Sequence, residues 1–155
     1  MPDLRSPRVW LALLWSAFQL WTAYRGMFDL LIQLPVHVAF ATALGFLSPP
    51  AGGRARWLDM AAAVAALACA AHCIAWNGFL ASRMAMVDDP RPTDVLVAIL
   101  FAALLLEAAR RHAGGALVIL TLVFVVYAFV GPWLPGFLAH GGVTGLKFVD
   151  RKSVV

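Results

Sequence analysis

Long apolar runs alternate with short polar connections along this chain, and the length of the runs carries the first inference. A helix that crosses a bilayer needs about 20 predominantly apolar residues. Five stretches approach that length: 9–24, 30–46, 58–80, 95–106 and 116–130. Trp10, Trp21 and Tyr24 edge the first, and Trp57 and Trp76 bracket the alanine-rich third, as aromatic residues do at membrane interfaces. The second is entered past Pro35, and the fourth is short unless it continues through Glu107. The pattern predicts an all-α polytopic membrane helix bundle of about five transmembrane helices, or four if the short fourth run does not span.

The connections read as turns. Ser48-Pro49-Pro50-Ala51-Gly52-Gly53 cannot continue a helix, because its prolines lack the amide donor and its glycines are conformationally loose. Asp89-Pro90-Arg91-Pro92-Thr93-Asp94 ends one element and starts the next, with Thr93 or Asp94 the expected N-cap. After the fifth run, YAFVGPWLPGFLAHGG holds two prolines and four glycines, and Gly131, Pro132, Pro135 and Gly136 end the helix in an irregular segment. The first run is no cleaved signal peptide by this reading, since residues 19–24 lack a small-x-small site.

Composition narrows the class. Of 155 residues 63% are hydrophobic and 13% charged, against about 45–50% apolar and a quarter charged in ordinary soluble domains. The mean hydropathy is +0.84. A soluble domain of this size could not bury so much apolar surface, which excludes a soluble enzyme, a disordered tail and a secreted disulfide scaffold. No enzymatic activity and no cofactor are expected. The net charge of +4 does not indicate nucleic acid, whose binders gather cations on one face; here small groups of cations separate apolar runs. Those groups orient the chain. With a cytoplasmic N-terminus, the inside segments hold Arg5, Arg8, Arg54, Arg56, Arg110 and Arg111. The outside segments hold Arg25 with Asp29, and Arg83 and Arg91 with Asp88, Asp89 and Asp94.

Three constellations invite chemistry. Cys69, His72 and Cys73 share one helical face and are soft-metal ligand types; no fourth ligand accompanies them, and small packing residues are the plainer reading. His37 and His72 lie in adjacent spans and could clamp a haem, but His72 sits about 12 Å deeper at the usual rise. Glu107, Arg110 and Arg111 stand at spacings of three and four, so they pair along one face. They act either as an interface anchor that stops the fourth helix or as a contact with a neighbouring helix or subunit.

The run LLLEAARRHAGGALVILTLVFVVYAFVGPWLPGFLAHGG resembles the N-terminal, small-subunit-like region of fused permeases of tripartite ATP-independent periplasmic (TRAP) transporters, of the type paired with TAXI solute-binding proteins. Arg25 and Asp29, His37 leading into AFATALGFLSPP, and the Pro92-Thr93-Asp94 helix start agree with it. The likeness covers roughly residues 9–149 and is most specific from 94 to 142. It implies a scaffold portion in the bacterial inner membrane, flanking a large permease subunit that holds the moving elevator domain and the solute and ion sites. Its partners would be that large subunit, a TAXI-type periplasmic binding protein and membrane lipid. No transport residue is carried over, and Glu107, Arg110, Arg111 and the Gly131–Gly136 segment are implied to be architectural.

Residues 1–149 would form this transmembrane domain with its connecting helix. The last six residues, 150–155, read DRKSVV, unlike the hydrophobic continuation of that family, and equal the translation of a common sequencing adapter. They are expected to be a non-native tail on a chain that naturally continues. Two other function classes stand beside the transporter: a stand-alone membrane assembly or interaction subunit, and a haem-binding redox anchor.

Overall fold

The computed structural model describes residues 6–26, 28–48, 56–83, 88 and 90–138. The connection at 49–53, Asp89 and the tail at 150–155 lie outside the described residues. Among the described residues six helices follow one another: α1 (Pro7–Arg25), α2 (Leu30–Leu47), α3 (Arg56–Ala75), α4 (Asn77–Ser82), α5 (Pro92–Ala113) and α6 (Gly115–Val130). Two short 3-10 turns, Gly131–Trp133 and Gly136–Leu138, close the series. The chain is a helical membrane protein. Helices α2, α3, α5, and α6 extended through Trp133, are long and apolar enough to cross a bilayer.

The weakest of the five expected spans is therefore the first, not the fourth. Helix α1 carries Gln19, Thr22 and terminal arginines, which lower its hydropathy. The two uncharged groups are drawn toward the bundle: Thr22 is buried and donates to the Gln19 carbonyl, while the Gln19 amide meets His37 of α2. What α1 leaves outward is Trp10, Leu13, Leu14, Leu20, Trp21 and Tyr24, an apolar face with aromatic residues at both ends. Pro7 opens the helix, where its missing amide costs nothing, and Gly26 closes it at φ 97°, its N–H bonded to the Thr22 carbonyl.

The tight pair is α2 with α3. Ala39 and Ala43 of α2 and Ala63, Ala66 and Ala70 of α3 are buried, and small residues are what let helix backbones approach closely in lipid. Two clusters fill this seam. Ala43, Phe46, Ala63 and Ala108 pack with Leu11, Leu47 and Leu104, and further along Val36, Ala39 and Ala70 pack with Phe18, Phe40 and Phe101. Helix α1 thus lies along α2, and α5 reaches both α2 and α3. Helix α6 packs chiefly on α5 and has no buried residue. Gly114 alone joins α5 to α6 at φ 87° and ψ 171°, a region only glycine occupies without strain.

Two expectations are corrected and a third is decided. The third run does not continue as one helix to residue 80: α3 ends at Ala75, Trp76 leaves helical geometry, and α4 starts at Asn77. Asn77 and Gly78 are poor helix formers, so the helix is interrupted there. The fourth run takes the longer of its two readings, since α5 continues through Glu107 to Ala113, 22 residues or about 33 Å. The N-cap of α5 is Arg91, with Pro92 as the first helical residue; Asp94 lies inside the first turn and bonds elsewhere. Pro35, for its part, sits within α2, whose N-cap is Asp29, accepting from the Leu31 amide at 2.9 Å.

Candidate functional site

Helices α3 and α5 run antiparallel, and an acid in the first turn of each reaches a base in the last turns of the other. Asp59 opens α3, and its Oδ1 accepts from Arg111 Nη1 at 2.6 Å. Asp94 opens α5, and its Oδ1 meets His72 Nε2 at 2.8 Å. Each acid stands at the positive end of its helix dipole and each base at a negative end, so the dipoles favour both placements. The result is a reciprocal clasp at the two ends of one helix pair.

The first end is the more elaborate. Asp59 is buried, its side chain 6% exposed against 21% for Arg111. Arg111 also donates from Nε to Glu107 Oε1 at 2.9 Å, and its guanidinium lies 4.6 Å from the centre of the Phe46 ring of α2. Arg110 clasps the same Glu107 with two bonds, Nε to Oε2 at 2.7 Å and Nη2 to Oε1 at 2.9 Å, the paired geometry that suits guanidinium and carboxylate. His112 Nε2 lies 3.1 Å from the Gly45 carbonyl oxygen of α2. Gly45 leaves room for that ring, since a Cβ there would come within 3.1 Å of His112 Nε2. Three consecutive residues of α5 thus fasten α3, α2 and their own helix.

The second end is sparer. Asp94 Oδ2 is buried without a hydrogen-bond partner. Arg91, the N-cap, lies over Trp76 at 4.6 Å and over Phe79 at 3.5 Å from the ring centres, which ties the start of α5 to the residues around the α3–α4 junction. A third polar contact joins α1 to α2, where His37 bonds Gln19 and meets the edge of Trp15 at 5.1 Å.

The sequence-selected residues are placed as follows. Glu107, Arg110 and Arg111 converge on one carboxylate and one neighbouring acid. Gly131 is buried and opens the first 3-10 turn with Pro132, while Pro135 and Gly136, the latter at φ 64°, are exposed beside Trp133 and Phe137. Cys69 is buried, Cys73 is half-buried and both are free thiols. His72 and His37 bond different partners, Asp94 and Gln19. Among the described residues, no three His, Cys, Asp or Glu side chains gather in a way that could hold a metal ion. Sequence reasoning missed Asp59, His112 and the pairing of Asp94 with His72. The available signal for Asp59 was its type and position: an acid in the opening turn of an alanine-rich span needs a cation from elsewhere. The clasp contains a charge pair, a stacked ring and backbone bonds, and its chemistry is that of holding helices in register.

Comparison of the chain with protein-family models, with characterised proteins and with solved structures finds no match.

Proposed function

We propose that this chain is the membrane scaffold portion of a TRAP-type permease of the TAXI class in a bacterial inner membrane. In this reading it flanks a large subunit that imports a small organic anion delivered by a periplasmic binding protein. The observation that carries the reading is the use made of Glu107, Arg110 and Arg111. They lie where the resemblance is most specific, and they direct their bonds to neighbouring helices and to one another, as an architectural motif should. The outward apolar surface of α6, including Leu120, Val123 and Phe124, supports it too, being suited to seat against a further membrane domain.

Long-read sequencing across the 3′ end of the gene tests this. The expected result is a frame that continues into further hydrophobic spans, with a gene for a TAXI-type binding protein alongside. A natural stop after Val155 among genes for an unrelated complex overturns it. Specific binding of a small water-soluble organic anion by the purified chain alone would count equally against it.

A further inference from the structure

We infer that the end of the bundle holding the Asp59–Arg111 clasp is a binding collar for the headgroups of anionic phospholipids. The packing fixes which side chains share this end. Leu11 of α1 lies in one cluster with Phe46, Ala63 and Ala108, so Arg8, one turn before Leu11, stands at the same end as Arg56 at the start of α3. Arg110, Arg111 and His112 arrive there at the close of α5.

The described acids at this end are turned inward. Asp59 is buried against Arg111, and Glu107 is held by Arg110 and Arg111 together. Neither carboxylate neutralises Arg8 or Arg56, which have no ion-pair partner among the described residues, and Arg110 remains about half exposed. Among the described residues, four guanidiniums therefore meet two carboxylates at this end, both already bound, and the outer rim they form is cationic. Trp10 and Trp57 are exposed two residues and one residue from Arg8 and Arg56. Exposed tryptophans settle at the level of the headgroups, which sets those guanidiniums at the depth of lipid phosphates.

The opposite end lacks this arrangement. Arg25, Arg83 and Arg91 stand there with Asp29, Asp88 and Asp94, and two of the three cations lie over aromatic rings, Arg25 over Trp21 and Arg91 over Trp76 and Phe79. The recognised feature is thus a membrane-anchored phosphate diester at one leaflet. This inference uses the membrane fold alone and stands or falls apart from the transporter reading.

The test is native mass spectrometry of the full chain in mild detergent, titrated with phosphatidylglycerol and with phosphatidylcholine. The chain should retain phosphatidylglycerol preferentially. The Arg8→Gln/Arg56→Gln double variant should lose about fivefold in retention per guanidinium, the weight of one basic residue near an anionic surface. Arg8→Lys/Arg56→Lys should keep the preference, and Arg25→Gln/Arg83→Gln at the opposite end should leave it unchanged. Equal retention of the two lipids by the unaltered chain overturns the proposal. So does an equal loss in the lysine and glutamine doubles, which would make the effect one of folding. Displacement of the lipid by inorganic phosphate at equal concentration would also overturn it, since the site would then take the free anion.

Discussion

The two ends of the α3–α5 pair solve one problem with different chemistry. At each, an acid that begins one helix must be satisfied by a base that ends the other. Asp59 meets an arginine, which is always charged and whose planar fork reaches a second carboxylate while its face covers Phe46. Asp94 meets a histidine, which is charged only when protonated, and its second oxygen is left buried without a hydrogen bond. The first end is a network in which Arg110, Arg111 and His112 each bond an acceptor on another turn or helix; the second is a single bond. The difference teaches that burial of an acid says little by itself, because what matters is whether its base is held by further contacts and whether its second oxygen is left buried and unpaired.

That comparison can be broken by substitution. Asp59→Ala should have the largest effect, a loss of about 3–5 kcal/mol, because it leaves the Arg111 guanidinium half-buried beside an apolar ring with part of its charge uncompensated. Thermal unfolding in detergent measures it, and the Asp59→Ala/Arg111→Leu double should recover most of the loss. Asp94→Ala should cost less, about 1 kcal/mol, the net worth of one hydrogen bond, since His72 can be neutral and the orphaned oxygen disappears with the side chain. An Asp94 variant as damaging as the Asp59 variant would show that the two ends are equivalent. Gly45→Ala should be milder still: its methyl group displaces the His112 ring, and hydrogen exchange should report faster opening at the end of α5 with little change in Tm. Arg110→Gln should leave Tm unmoved, because that side chain is exposed and its partner Glu107 keeps Arg111.

How far these features were legible depends on whether a residue's role is set by its neighbours in sequence or in space. The cores of the helices, the stop at Gly131-Pro132 and the all-helical class follow from runs of apolar residues and from breakers, which are local. The length of α5 was not legible in this way. Counting apolar residues halts at Glu107, whereas in the fold that carboxylate is bound by two arginines and the helix passes through it. Helix α1 errs in the opposite sense: its apolar run reads as a span, yet Gln19, which bonds His37 of α2, and the buried Thr22 leave it less apolar than the four spanning helices. The break at Trp76 was marked only by Asn77 and Gly78, too weak a signal beside the apolar residues around them. Asp59 went unnoticed because its partner lies 52 residues away.

That separation bears on how the molecule is made. At a synthesis rate of roughly 5–20 residues per second, Asp59 leaves the ribosome about 3–10 s before Arg111. During this interval α3 carries an acid whose final counter-charge has not been translated. Its opening turn must wait in the hydrated headgroup layer, and only the arrival of the end of α5 lets it settle against α2. Insertion of the third helix is thereby completed by the fifth, so a nascent chain arrested between them should hold α3 at a shallower depth than the finished protein does.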